Sequence, residues 1–220
     1  MKSIIATTIK DTIKTIDWLN PENNTKAGGL VTKVSKQVKQ GDVFTTITFP
    51  ITSDVEGQKC YEKGNYFAML PSSTYNSVSY LEAFAPLQFF GYEEGRKKLV
   101  YTCPMNLIIW GNMKKIGVTD YNAIDKVVYQ ITKLLTATAG HRGVDSGRLN
   151  ITDERVTNGV IDLTITNIDI QNATIFSEYT RPPQVEAYTY PYLYTRFQMN
   201  TFLTIGRECL DNITIDGQIC

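Results

Sequence analysis

Between residues 99 and 109 every odd position holds Leu99, Tyr101, Cys103, Met105, Leu107 or Ile109. Side chains of a strand alternate between its two faces, so this run reads as one strand with one face on a core. A helix would spread the same residues around its axis. Residues 78–90 form a second apolar run. The segment Gly91-Tyr92-Glu93-Glu94-Gly95-Arg96 between the two has turn chemistry, so 78–90 and 97–109 are predicted to pair as a hairpin. Pro86 and Pro104 interrupt these runs, and each lacks a ladder donor, which places both at an edge or a bulge.

The same logic finds further strands. Residues 30–38 and 43–49 flank Gln40-Gly41-Asp42 and predict another antiparallel hairpin, with Val43, Thr45, Ile47 and Phe49 on one face. Residues 66–70 form a short apolar strand closed by Pro71. In residues 160–170, Ile161, Leu163 and Ile165 face in while Asp162, Thr164 and Thr166 face out. Residues 192–205 predict a long late strand, and 212–219 a short one. Composition agrees: Thr, Ile, Val, Tyr and Phe supply 85 of the 220 residues, against 24 for Ala and Leu together. Branched and aromatic side chains suit a pleated surface, so sheet should dominate.

Two segments carry helical periodicity. In residues 3–18, Ile5, Ile9, Ile13 and Ile16 recur three or four apart and share a face, and Asn20-Pro21 marks a stop. In residues 121–135, Ile124, Val127, Val128, Ile131, Leu134 and Leu135 make a broad apolar stripe, with Thr119 and Asp120 as capping candidates. Residues 21–29 and 138–158 read as polar loops. Runs of strands broken by isolated helices predict an α+β fold rather than a parallel βαβ sheet. The expected architecture is one domain over 1–220. It would be a mainly antiparallel sheet, either a sandwich or a partly closed barrel, with both amphipathic helices packed on one side. Long extended loops are expected at about 50–78 and 171–191, the second containing Pro182-Pro183 and Pro191.

Several functions lack their residues. The charge balances at 22 basic and 22 acidic side chains, unlike the basic surface of a dedicated nucleic-acid binder. No run approaches the ~20 apolar residues of a membrane helix. The first residues turn polar before a signal-peptide core forms. Cys60, Cys103, Cys209 and Cys220 are scattered without metal spacing and read as buried free thiols of a reducing compartment. The triplets at Asn23, Asn150, Asn172 and Asn212 read as chance in a Thr-rich chain. His141 is the only histidine, and no G-x-S-x-G, Walker loop or G-x-G-x-x-G occurs; Gly28-Gly29 is a bare pair. Asp145, Asp153 and Glu154 do not match a calcium loop, and Glu93-Glu94 sits at a hairpin tip where solvated charge belongs. No catalytic residue, metal ligand or cofactor site is therefore assigned. A hydrolase with converging carboxylates has no positive sign in the sequence.

Two features point to contacts. Lys26, Lys33, Lys36 and Lys39 occur with no acid between 23 and 41; Lys33 and Lys39 share strand parity and Lys36 takes the other face. Lysines of this kind shield an exposed edge strand, or touch phosphate or an acidic neighbour. Tyr188, Tyr190, Tyr192 and Tyr194 alternate around Pro191, and tyrosine serves subunit interfaces and cores alike.

The order of elements (Ile5–Ile16 helix, antiparallel strands, the 121–135 helix) resembles that of small tailed-bacteriophage neck and tail ring proteins. So does the aromatic and polar late strand Tyr192-Leu193-Tyr194-Thr195-Arg196-Phe197-Gln198-Met199-Asn200-Thr201-Phe202. That family comprises head–tail connectors, tail terminators and ring proteins. The Thr/Asn/Ile/Tyr-rich style also resembles virion proteins of AT-rich phages, such as those of gut Bacteroidetes. The resemblance implies a structural virion subunit, assembled in the host cytoplasm into a ring of its own copies around the DNA channel. Neighbouring portal, connector or tail proteins would be its partners, with non-specific contact to packaged DNA, no membrane and no catalysis. The long 50–78 and 171–191 segments depart from compact members and leave the layer of the neck or tail open. The alternative is a β-rich bacterial surface or adhesin-like binding domain.

Overall fold

The computed structural model describes residues 1–52, 67–71, 74–117, 123–142, 146–151, 156, 158–171, 173–176, 179 and 191–207. Helix α1 (Lys2–Ile13) comes first, followed by strands β1 (Lys26–Leu30), β2 (Thr32–Gln40), β3 (Val43–Thr52) and β4 (Phe67–Ala68). Then come β5 (Ser77–Ala83), β6 (Gln88–Glu93), β7 (Lys98–Thr102), β8 (Met105–Asn112), helix α2 (Ala123–Leu135), β9 (Ser146–Asn150), β10 (Val160–Ile170) and β11 (Tyr192–Gly206). The main sheet runs β1-β5-β8-β11-β10-β9, with β7 also on β11 and β6 on β7; β2-β3-β4 form a second, small sheet. Every pairing is antiparallel except β1 with β5. The fold is thus α+β, with two α-helices among the described residues, as composition and periodicity predict, and the main sheet stays open, not closed into a barrel.

The predicted 78–90/97–109 hairpin is present, divided at its prolines. β5 pairs with β8 from Ser77↔Gly111 to Ala83↔Met105, and β6 with β7 from Gln88↔Thr102 to Glu93↔Lys98. Pro86 and Pro104 fall in the break, where no ladder N–H is required. β11 bridges it, pairing with β8 through Tyr192–Met199 and with β7 through Phe202–Gly206. At the crossing, the Cys103 N–H donates to Thr201 O (3.0 Å), and the Thr201 hydroxyl donates to Cys103 O (2.5 Å).

Both helices lie on one face of this sheet. Ile4, Ile5, Ile9 and Ile13 of α1 and Val127, Ile131 and Leu135 of α2 join Leu99, Cys103, Met105, Leu107 and Ile109, and the odd-numbered apolar residues of β11, in one core. α1 ends at Ile13, short of Asn20-Pro21. The Thr12 and Thr15 hydroxyls donate back to Thr8 O and Thr12 O, and the chain tightens into i→i+3 bonds at Thr15 and Ile16. Ile16 is only partly buried, just past the helix end. The α2 stripe is as predicted; its capping candidates Thr119 and Asp120 lie outside the described residues.

The opposite face carries a smaller core of Val78, Tyr80, Ile108, Trp110 and Tyr194, covered by Met69, Ile175, Phe176 and Tyr179. Two segments read as loops contain strands. Residues 26–30 form β1, where Gly28 has a use: a Cβ there would fall 2.8 Å from Met69 Cε and 2.9 Å from Thr52 Cγ2, so only glycine lets the root of β3 approach. Residues 146–150 form β9, which completes the sheet beside β10. The predicted 212–219 strand and Cys60, Cys209 and Cys220 lie outside the described residues; Cys103 is a buried free thiol, and burial pushes its pKa up.

Candidate functional site

The predicted 30–38/43–49 hairpin is a projecting arm. β2 and β3 pair without a break from Thr32↔Ile51 to Gln40↔Val43, about 30 Å of ribbon at ~3.3 Å per residue, and Gly41 turns the tip at φ +63°. Only Ile51 and Thr52, at the root, gain a third strand, β4. The root is tied down: the Thr52 hydroxyl donates to Leu30 O (3.0 Å), and Phe49 and Pro50 are buried. Farther out the ribbon is bare. Val43 is 66% exposed and Phe44 65%.

Directly paired residues share a face, so Val34, Lys36, Val38, Val43, Thr45, Ile47 and Phe49 line one side of the ribbon. Lys33, Ser35, Gln37, Lys39, Phe44, Thr46 and Thr48 line the other. The two predicted lysine parities are therefore present, and all three candidate lysines are exposed. Each ammonium lies over a ring: Lys33 over Tyr179 (5.9 Å), Lys36 over Phe49 (5.8 Å) and Lys39 over Phe44 (6.0 Å). Lys39 also lies 4.0 Å from Asp42 across the turn. Ser35 and Thr48 hydroxyls bond across the polar face at 2.8 Å.

A polar knot joins the base of the arm to the sheet. Glu82 of β5 accepts the Tyr179 hydroxyl, while Lys33, Arg196 and Asn106 stand close enough to act on its charge. Burial raises the Glu82 pKa against the pull of those partners, and burial and the Glu82 charge raise that of Tyr179. Sequence reading counted Tyr179 only among the aromatics of the 171–191 segment and gave neither it nor Glu82 a role; 97 positions apart, they give no local signal.

The four candidate tyrosines separate. Tyr188 and Tyr190 lie outside the described residues. Tyr192 is half-buried and stacks on Trp110 at 5.1 Å between ring centroids. Tyr194 is a core residue: it is buried, its hydroxyl donates to Gln171 O (3.1 Å), and its N–H donates to Gln171 Oε1 (2.9 Å). Its surface is spent inside this chain, where the alternating run had also offered it to a neighbour.

The largest group of exposed apolar residues among the described residues was not singled out in the sequence. Phe84 (56% exposed), Phe89 (52%), Phe90 (58%) and Tyr92 (54%) lie on and beside β6, an edge strand paired only with β7 among the described residues. Phe89 meets Tyr92 and Tyr101 edge-on at 5.0 and 5.7 Å. Phe90 meets Phe202 edge-on at 5.3 Å on the opposite face, and the Arg142 guanidinium lies over both rings. The available signal was Phe89-Phe90: two consecutive aromatics put apolar surface on both faces just before a charged turn. Beside them, Asp162 accepts both Arg148 Nε (2.9 Å) and Nη2 (3.0 Å), and Arg142 pairs with Glu93. Burial opposes the Asp162 charge, but Arg148, Arg142 and the His141 N–H outweigh it and hold its pKa low. Asp162 thus faces away from the helix side as predicted, yet lies buried beneath arginines.

Among the described residues, no three His, Cys, Asp or Glu side chains gather closely enough to hold a metal ion, and no helix is long and apolar enough to cross a membrane. An open groove of about 440 Å³ between the end of α1 and α2 is lined by Thr15, Ile16, Asp17, Gln130, Lys133, Leu134 and Ala137, with Asp17 its one acid. No protein-family model matches the chain, and no curated protein matches it.

Proposed function

We propose that this chain is a structural virion protein, one subunit of a ring at the head–tail connector or tail of a tailed phage, surrounding the DNA channel. The observation that carries the reading is the β2–β3 arm. A bare two-stranded ribbon is marginal in water, and this one is held out from a body whose two sheet faces already have cores of their own. An element that adds so little to its own subunit gains its purpose from a neighbour. Lys33, Lys36 and Lys39 give the arm a basic character suited to an acidic neighbour or to packaged DNA. The virion setting rests on the resemblance in element order and on the aromatic late strand, and portal, connector or tail proteins are the expected neighbours.

The test is imaging of the assembled particle. A ring of this chain at the neck or tail is the expected result; its absence from purified particles, with the protein found in cells alone, overturns the reading. Binding of duplex DNA that weakens steeply with salt is expected if the lysines face the channel. Failure to bind at low salt removes that contact and leaves the ring.

A further inference from the structure

We propose that the chain from Gln171 to Tyr179 is a hinged strap, latched across the smaller core by the bond between Tyr179 and Glu82 and loosened when Glu82 gains its charge. The strap belongs to one subunit, so the inference stands whether or not copies form a ring. Its hinge is Gln171, just past the end of β10. That residue sits in the left-handed region at φ +50°, which is uncommon for anything but glycine. Four hydrogen bonds hold it there against β11. Its N–H donates to Tyr194 O (3.0 Å) and its Nε2 to Tyr192 O (2.9 Å). The Tyr194 N–H and hydroxyl donate back to Gln171 Oε1 (2.9 Å) and O (3.1 Å). From this pivot to the contact on β5, the sheet is crossed over β11 and β8, about 14 Å at ~4.8 Å per strand.

Between hinge and latch, the helical turn Ala173–Phe176 lays Ile175 and Phe176 on Val78, Tyr80, Ile108, Trp110 and Tyr194. Phe176 meets the Tyr194 ring at 5.8 Å, and the Tyr179 N–H donates to Phe176 O (3.0 Å), which ties the latch to the cover. At the far end the Tyr179 hydroxyl donates to Glu82, and its ring lies under the Lys33 ammonium of β2. Among the described residues, the groups acting on the Glu82 charge come from four elements. They are Lys33 of β2, Tyr179 of the strap, Asn106 of β8 and Arg196 of β11, the last itself held by Asp169 of β10. All four favour the carboxylate, yet burial outweighs them and the Glu82 pKa stands above its ordinary value. Lifting Tyr179 returns Glu82 to water and to the ordinary value. The closed strap thus binds the proton more tightly than the open one. Acid favours closure, and the open fraction rises with pH, by at most about tenfold per unit for one proton.

Hydrogen–deuterium exchange of the full chain tests this, read by mass spectrometry from about pH 5 to about pH 8 and corrected for the intrinsic pH dependence of exchange. Peptides over 171–179 are expected to open several-fold more often at the upper end, while those over β8 keep constant protection. Protection of 171–179 that is flat with pH, or that falls equally in β8, overturns the strap as a separate proton-responsive unit. Two variants locate the trigger. Glu82→Gln keeps an acceptor for Tyr179 but cannot ionise, so exchange in 171–179 should lose its pH dependence and stay slower than the parent's at the upper end. The parent's slope persisting in Glu82→Gln overturns the role of Glu82. Tyr179→Phe keeps the ring and removes the donor, and 171–179 should open several-fold more often than in the parent at every pH. Exchange equal to the parent's overturns the latch.

Discussion

Asp162 shows how one residue's pattern and its environment diverge. Its parity predicts an outward position, and β10 does turn it away from the helices, but Arg148 and Arg142 close over it. Removing one partner from a buried ion pair strands the other charges. Asp162→Asn should cost about 1–3 kcal/mol, reduced from the fully buried case because both arginines keep some solvent. Urea denaturation at pH 7 measures it. The pH dependence has a definite sign. The Asp162 pKa is held low in the fold, so its stabilisation is present above the ordinary carboxylate range and fades as pH falls through the lowered value. Glu82 behaves oppositely: its pKa is raised, so its contribution is full below the unfolded value and is lost as pH rises through the folded one. Glu82→Gln, which keeps an acceptor for Tyr179, should therefore gain stability over the parent at neutral pH, with the gap closing toward pH 4. Denaturation curves across that range decide it, and a gap that widens in acid would contradict the assignment.

Elements were legible where a period ran long enough. The odd-position run through β7 and β8, the β2–β3 hairpin, β10 and the α2 stripe all follow from spacing, because burial of one face imposes the period. β1 and β9 were not legible: Lys-Ala-Gly-Gly-Leu and Ser-Gly-Arg-Leu-Asn are too short and glycine-rich to show alternation, and tertiary contact selects them. Their glycines are the reason they fit. A Cβ on Gly147 of β9 would come within 2.0 Å of Leu135 O, the last carbonyl of α2. Gly147→Ala must push the helix end off the sheet, at a cost of about 1–3 kcal/mol or more. In α1, Ile9 is fully buried against the sheet, and Ile9→Ala should lose about 2–5 kcal/mol through the cavity it leaves. Thermal melts of both variants check these values. The candidate site was half legible: sequence placed the lysines on the arm with correct parities, but exposure along β6 depends on which strands cover which, and no local pattern encodes that.

At the scale of the molecule, the body and the arm divide the work. Two cores on opposite faces of one sheet hold the body, while the arm reaches beyond both. Replacing residues 36–47 by a two-residue turn should leave the melting temperature within a few degrees of the parent and abolish self-association, as circular dichroism and sedimentation of the same preparation would show. A large drop in melting temperature would make the ribbon part of the fold's own support. The account as a whole depends on copies of this chain meeting through the arm in a contact that closes. Native mass spectrometry of the purified chain over a range of concentrations reads that most directly: the prediction is one dominant assembly of fixed copy number, and a single subunit mass at every concentration would contradict it.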